Sequence, residues 1–224
     1  MGLAFTDLET TGLNPWPAHE PWEATLIIPG PQQRIEITWQ LPVDLGRADS
    51  KALQINHFHD RRWAPADTRD KRQDAVLGTD SSAGTVGPGH VVHPDDMHFW
   101  AAEFTRLTRG RALVGANVGF DMKDHLDRLL RRHGACPEYH HRPVCTEAAL
   151  WGYLHGRIIA EPGLAEKLPE ADALDIPWSH GRLLDAAMAL FGADLTISAE
   201  DRHTSLGDTR LVEAVHDLIV GRAT

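Results

Sequence analysis

The stretch Gly2–Glu9 reads GLAFTDLE; its first part, Gly2–Thr6, is a short apolar run that predicts a β-strand continuing through Glu9. The turn-rich residues Thr10–Pro17 end it. Because residues two apart on a strand point to the same face, Asp7 and Glu9 are expected to project side by side. Two such carboxylates repel each other and lose hydration, and a divalent cation between them removes that cost. The alternative is a pair of exposed acids on an edge strand.

The segments after this strand predict further strands, followed by a strand and helices in alternation. Apolar residues alternate with a period of two in Arg34–Leu41, which predicts a strand, and Met122–His133 carries an apolar face typical of a helix. The other predicted elements are strands at Glu23–Ile28 and Arg111–Ala116 and helices at Met97–Thr108, Val144–Leu154, Arg182–Phe191 and Leu206–Val220. This order is typical of an α/β or α+β domain around a mixed sheet.

Length and composition indicate one domain with an insertion. The 224 residues suit a single domain over residues 1–224, and the polar segment at about residues 60–96 is interpreted as a long surface insertion. No run approaches about 18 apolar residues and no signal-like segment opens the chain, so we expect a cytoplasmic protein without a membrane partner. Two cysteines, Cys136 and Cys145, provide no disulfide framework.

The formal net charge of −10 argues at first against a nucleic-acid partner, because phosphate binding usually requires a basic surface. The objection weakens if some of the acids are metal ligands, since two divalent cations would add four positive charges. An enzyme that holds only a few terminal nucleotides needs local positive charge rather than a basic surface. Net charge therefore does not decide the function.

Two later segments each carry a carboxylate that can join Asp7 and Glu9. Asn117–Asp121 connects a predicted buried strand to the helix that follows, and active sites of α/β proteins usually form at such strand ends. Asp208 lies on the apolar face of the last predicted helix, with His203 just before that helix. Each signal has an ordinary alternative. Asp121 can be an ordinary acid that the dipole of the following helix favours near its N-terminus. The His-x4-Asp spacing also occurs at His90/Asp95 and His180/Asp185.

Taken together, these segments resemble the DEDDh family of 3′–5′ exonucleases. Phe5–Gly12 resembles the first motif, F-x-D-x-E-T-T-G; Val114–Asp121 resembles the second, which ends N-x-x-F-D; and His203–Asp208 resembles the third, H-x-A-L-x-D. The resemblance implies a ribonuclease-H-like fold and the release of 5′-mononucleotides from the 3′ ends of single-stranded DNA or RNA. It also implies two Mg²⁺ or Mn²⁺ ions held by Asp7, Glu9, Asp121 and Asp208, with His203 as general base.

The same resemblance suggests residues that contact the terminal nucleotide. They are Thr10, Thr11, Leu13, Asn56, Asn117 and Phe120, with Leu13 as an apolar wedge against the last base. Trp16 and Trp22, beside the first motif, are further candidates for base stacking. The chain departs from the family at Cys145-Thr146, where Asp-Thr is common. We expect altered local hydrogen bonding there rather than lost catalysis.

Three alternatives stay open at this stage. One is a zinc site formed by ligands that lie close together in sequence: His133, Cys136, His140, His141 and Cys145. Another is a catalytically inactive nucleic-acid-binding module. The third is an RNA-end-processing exoribonuclease, which shares the chemistry but requires a pocket that accepts the 2′ hydroxyl. The sequence does not decide the oligomeric state.

Overall fold

A six-stranded mixed sheet forms the centre of the protein in the computed structural model, which describes residues 2–14, 19–31, 33–62, 90–167, 180–192, 195–198 and 200–221. The strands are β1 (Leu3–Thr10), β2 (Pro21–Ile28), β3 (Ile35–Gln40), β4 (His90–Val91), β5 (Ala112–Gly115) and β6 (Val144–Cys145). Their order in the sheet is β4-β3-β2-β1-β5-β6. β2 is antiparallel to both β1 and β3, and the other three neighbouring pairs are parallel.

Helices flank this sheet, as the order of predicted elements indicated. They are α1 (Ser50–Ile55), α2 (Phe58–Arg61), α3 (Met97–Thr108), α4 (Asp127–Arg132), α5 (Thr146–Ala160), α6 (His180–Phe191) and α7 (Ser205–Val220). Short 3-10 helices occur at Leu45–Arg47, Pro94–Asp96 and Pro162–Lys167. The expected α/β class is therefore confirmed. Among the described residues, no helix combines the length and the apolar character needed to cross a bilayer.

The alternation of side chains along β1 divides the core between two faces. Ala4 and Leu8 join a large apolar cluster with α3 and the segment around α4. Phe5 points to the opposite face, where it packs with Val212 of α7. Asp7 and Glu9 follow Phe5 at intervals of two and so lie on the α7 face of the strand. The docking of α7 on β1 therefore brings the last helix to the two carboxylates.

Two predicted helices need correction at their beginnings. The segment predicted as the helix Met122–His133 begins as a π-helix, Gly119–Leu126, before α4 continues it. The wider turn places residues four and five apart on one face, and both Asp121 and Leu126 are buried. The predicted helix Val144–Leu154 begins with two strand residues, because Val144 and Cys145 pair with the end of β5.

Most of the predicted insertion at about residues 60–96 falls outside the residues that the structure describes. Residues 63–89 lie outside the described residues, whereas Arg61 ends α2 and His90 begins β4. Gln40 anchors both ends, since its side-chain amide donates to the Arg61 carbonyl and its own carbonyl accepts from Val92 N–H. The described residues on both sides of this segment are thus held at the end of β3.

The first turn of α7 packs tightly against the turn before it. Thr204 is the N-cap, and its hydroxyl accepts a 2.9 Å hydrogen bond from Gly207 N–H while donating to the Asp201 carbonyl. A side chain at Gly207 would collide with that same carbonyl oxygen. The residue is buried, so a glycine is required there by packing. At the other end, Gly221 adopts φ 70° and ends the helix in the left-handed conformation that glycine favours.

Replacing Gly207 by Ala is expected to lower the free energy of unfolding by about 1–3 kcal/mol, because the added methyl group overpacks this turn. Gly156 in α5 is the matched control, since a Cβ there meets nothing within 4 Å. Gly156→Ala should stabilise the protein by roughly 0.5–1 kcal/mol. Urea unfolding followed by circular dichroism measures both variants. A Gly207→Ala protein as stable as the wild type would contradict the tight packing.

Candidate metal centre

Three carboxylates from distant parts of the chain meet on the α7 face of the sheet. One oxygen each of Asp7, Glu9 and Asp208 lies within 4.8 Å of the other two. Asp7 and Glu9 come from β1, and Asp208 comes from the first turn of α7. All three side chains are partly buried. Carboxylate oxygens gathered in this way are the ligands that hard divalent cations prefer.

Asp121 brings a fourth carboxylate to the same edge of the sheet. It lies in the π-helix that follows β5. That strand runs parallel to β1, and its last paired residue, Val114, lies opposite Phe5, two residues before Asp7. Only 5% of Asp121 is exposed. It is not part of the 4.8 Å group, but its charge acts on Asp7 more strongly than that of any other acid. The four predicted acids therefore form one electrostatic cluster.

Burial and mutual repulsion raise the pKa values of Asp7, Glu9 and Asp121. The pKa of Asp7 is raised well above its ordinary value by burial, and then by the charges of Asp121 and Glu9. Burial likewise raises the pKa of Glu9, with Asp208 adding to the effect. Burial also raises the pKa of Asp121 to about 8. Such a cluster is unfavourable when fully ionised, and a bound cation would relieve the repulsion.

Two further acids that the sequence did not single out act on the cluster. Glu147, in the first turn of α5, is the charge that most raises the pKa of Asp121. Glu23 stands directly opposite Glu9 in the antiparallel pair of β1 and β2, and it also raises the pKa of Glu9. The register of β1 with β2 is the signal that would have found Glu23, but strand register was not known from the sequence.

Glu23 joins the sheet to the start of α7. Its side chain is only 3% exposed and forms an ion pair with Arg61. One carboxylate oxygen accepts hydrogen bonds from the backbone N–H and the hydroxyl of Ser205, at 3.0 and 2.9 Å. A carboxylate at a helix N-terminus is stabilised by the helix dipole and by the unpaired N–H groups there. Glu23 thus fixes the helix turn that carries Asp208.

His203 lies in the turn directly before α7 and is exposed. Its backbone adopts φ 59°, in the left-handed region that residues other than glycine rarely enter. Burial lowers its pKa, as do the charges of Arg202 and His57. The imidazole is therefore mainly neutral at pH 7, the state in which it accepts a proton. The alternative pair His180/Asp185 falls on α6; the side chain of His180 lies outside the described residues.

The predicted nucleotide-contact residues of the first motif form a tight loop. The Thr10 hydroxyl donates to the Gly12 carbonyl at 2.8 Å, and the Thr11 hydroxyl accepts from Glu20 N–H at 2.9 Å. Both threonine side chains are buried and shape the loop from within. Leu13, at its tip, is 80% exposed. The described part of the loop therefore presents the large apolar side chain of Leu13 to solvent.

The other predicted contact residues divide into exposed and buried positions. Asn117 is exposed and Phe120 is half-buried, its ring lying edge-on to His125. Asn56, in contrast, is buried, and its amide donates to the Thr10 carbonyl at 2.9 Å. The expected contact through the Asn56 side chain is therefore not supported, because that side chain holds the first-motif loop. The next residue, His57, is exposed, and its charge acts on His203.

The tryptophan expectation is also corrected in part. Trp22 is fully buried and packs edge-on against Phe58 at 4.9 Å between ring centroids, so it presents no surface to a base. Trp22 is buried because it points to the side of β2 that α1 and α2 cover. Trp16 lies outside the described residues.

The histidine- and cysteine-rich segment from His133 to Cys145 does not gather its ligands. In the part of the chain that the structure describes, Asp7, Glu9 and Asp208 are the only group of three or more ligands within metal-binding distance. Cys145 instead donates from its thiol to the Ala116 carbonyl at 3.0 Å. It therefore links β6 to the residue that directly follows β5. Zinc is not supported.

No protein-family model matches this chain, and no curated protein matches it either. The geometry of the site and the three motifs therefore carry the functional argument.

The raised pKa values predict how stability depends on pH in the absence of metal. A carboxylate whose folded-state pKa is raised stabilises the fold below its unfolded pKa, and this contribution is lost as pH rises through the folded pKa. For Asp121 the window runs from the ordinary value of 3.8 to about 8. We expect the melting temperature of the chelated protein to fall across this window, and Mn²⁺ to raise it most at the alkaline end.

Asp121→Asn is the matched variant for this measurement. It removes one repelling charge, so the chelated variant should melt above the chelated wild type at pH 8, while its response to Mn²⁺ should be smaller. Differential scanning fluorimetry from pH 4 to pH 9 provides both comparisons. A melting temperature that is independent of both pH and Mn²⁺ would contradict the metal-centre interpretation.

Proposed function

We propose that the protein is a two-metal-dependent 3′–5′ exonuclease that releases 5′-mononucleotides from single-stranded DNA or RNA. The observation that carries the proposal is the convergence of Asp7, Glu9 and Asp208, from opposite ends of the chain, within 4.8 Å. These are three of the four acids that the motif resemblance assigns to metal binding. The fourth, Asp121, reaches the same edge of the sheet from β5.

The fold supports the proposal at a coarser level. A mixed sheet with helices on its faces is what a ribonuclease-H-like fold requires, and we propose that fold for this chain. Asp7 and Glu9 lie in the second half of β1, Asp121 follows β5, and Asp208 lies in the first turn of α7. The region beyond the carboxyl end of a parallel strand such as β5 is the usual place for ligands in α/β proteins.

The donor set fits Mg²⁺ or Mn²⁺. The ligands are all carboxylate oxygens, which suit hard cations, and their electrostatic repulsion leaves the site in need of positive charge. Asp7, Glu9, Asp121 and Asp208 would hold the ions. Two such ions, when bound, supply Lewis-acid stabilisation to both oxygens of an in-line phosphoryl displacement.

The chain's own residues divide the remaining work. His203, with its lowered pKa, would accept the proton of the attacking water. Leu13 would pack against the terminal base, and the buried threonines of its loop would hold the backbone that meets the 3′ hydroxyl. His57, rather than Asn56, would face the nucleotide, because Asn56 is turned inward. An RNA-end-processing role uses the same residues and differs only in the acceptance of the 2′ hydroxyl.

The activity is tested on 5′-labelled single-stranded DNA and RNA of equal sequence, with Mg²⁺, Mn²⁺ or chelator. We expect a ladder that shortens from the 3′ end, depends on metal and disappears in Asp7→Asn, which keeps the size of the side chain but removes its charge. Glu138→Gln is the control and should cleave normally. It alters an exposed acid that pairs with Arg109 before the start of β5, whereas Asp121 follows the other end of that strand. Absence of cleavage with either metal would favour an inactive binding module.

His203→Gln is expected to lower kcat by about 10²–10⁴-fold, the usual range for loss of a general base. Metal binding should be retained, because His203 is not among the gathered carboxylates. The wild-type kcat should decline toward acid pH as the imidazole becomes protonated, with a midpoint below 6.5, and the variant should lack this limb. A variant with wild-type kcat would show that another group accepts the proton.

A further inference from the structure

Arg61 connects three parts of the chain that meet beside the carboxylates. Its Nη1 donates to the backbone carbonyl of His203 at 2.7 Å and to that of Asn56 at 2.9 Å. Its Nη2 forms the ion pair with Glu23, and its guanidinium lies 5.1 Å from the ring centroid of Trp22. The Arg61 side chain is 20% exposed. One guanidinium thus joins α2, β2 and the turn before α7.

The two carbonyls that Arg61 binds belong to, or directly precede, residues with a left-handed backbone. His203 and His57 are the residues other than glycine with positive φ in the described part of the chain, at 59° and 52°. Arg61 donates to the carbonyl of His203 and to the carbonyl of Asn56, which directly precedes His57. A left-handed conformation is unfavourable for a residue with a side chain, so it persists only where its surroundings hold it.

Arg61 and its partner Glu23 hold the turn around His203 from two directions. Arg61 binds the His203 carbonyl, while Glu23 binds Ser205 two residues later. The peptide groups on either side of Thr204 are therefore fixed relative to β2. The direction in which the His203 side chain leaves the backbone follows from this geometry, because φ and the following peptide orientation set the Cα–Cβ vector.

We propose that Arg61 is the positioning residue that orients His203 toward the carboxylate cluster, an inference that rests on the proposed exonuclease function. Arg61 acts through the backbone of His203 and not through contact with the substrate. Its N–H groups bind Glu23, Asn56 and His203, and its guanidinium packs on the ring of Trp22. Its charge also opposes the rise in the pKa of Glu9. The planar fork of an arginine reaches three acceptors at once, which the single ammonium of a lysine does not reproduce.

The test is a double-mutant cycle in kcat with Arg61→Lys and His203→Gln on single-stranded DNA. Arg61→Lys keeps the charge beside Glu23 and is expected to lower kcat by about 10- to 100-fold with KM changed less than about threefold, the pattern of a displaced catalytic group. In the His203→Gln background the same substitution should cost less than about twofold, because the group that it orients is already absent.

Arg62→Lys is the matched control. Arg62 neighbours Arg61, and its guanidinium also binds backbone carbonyls, those of Leu41 and Trp22, but it does not reach the turn before α7. Arg62→Lys should leave kcat and KM unchanged relative to its parent, both in the wild type and in His203→Gln. Melting temperatures of all variants, with and without Mn²⁺, report whether the fold and the metal centre are preserved, and we expect the Mn²⁺ response of Arg61→Lys to match that of the wild type.

The outcomes separate this inference from the function on which it rests. Equal fold-losses from Arg61→Lys in both backgrounds would show that Arg61 acts independently of His203 and would overturn the inference, as would a lost Mn²⁺ response. An Arg61→Lys protein with wild-type kcat would overturn it as well. Wild-type protein without exonuclease activity would overturn the proposed function itself, whereas active wild type with a non-additive cycle supports both.

Discussion

The repulsion among carboxylates at the end of β1 is the constraint on which the rest of the site depends. Asp7 and Glu9 are neighbours on one strand face, and Asp208 and Asp121 approach them from α7 and from the segment after β5. Burial and proximity raise the pKa values of Asp7, Glu9 and Asp121. A fold that gathers like charges gives up stability at neutral pH, and a cation that binds between them recovers it.

A polar seam between the sheet and α7 makes this gathering possible. Thr25 of β2 contacts both Thr38 of β3 and Ser205 of α7 through its hydroxyl, at 2.8 and 2.7 Å. Thr6 of β1 donates to the Thr25 carbonyl. Together with the bonds from Ser205 to Glu23, these contacts fix the first turn of α7 against the sheet where an apolar contact alone would allow sliding. Buried polar groups with satisfied partners specify one arrangement more sharply than apolar packing does.

The site combines a rigid side with a side that rests on loops. β1, β2 and the first turn of α7 hold the carboxylates, so their positions are determined by strand pairing and helix docking. His203, Leu13 and His57 lie instead in turns or loops that are exposed. Arg61 and Asn56 connect the two sides, one through carbonyls of the histidine turns and the other through the Thr10 carbonyl. Residues that meet a substrate commonly lie on loops that a rigid scaffold positions.

The sequence alone determined those features that arise from local periodicity and short motifs. The alternation along β1 placed Asp7 and Glu9 on one face, and the helix Met97–Thr108 has the predicted bounds, because neighbouring residues decide both. It also identified Asp208 as a carboxylate of the same site, and the structure brings it to Asp7 and Glu9. The catalytic roles of these residues stay predictions.

Only the tertiary structure decided which residues surround the cluster. The position of Glu23 opposite Glu9 depends on the register of β1 with β2. Arg61 binds the His203 carbonyl across many residues of intervening chain. The Asn56 side chain turns inward because it donates to the Thr10 carbonyl. The π-helix around Asp121 likewise follows from packing that local propensity does not encode. Contacts between distant segments depend on how whole faces pack, and a pattern along one segment carries no information about the partner that the fold will bring to it.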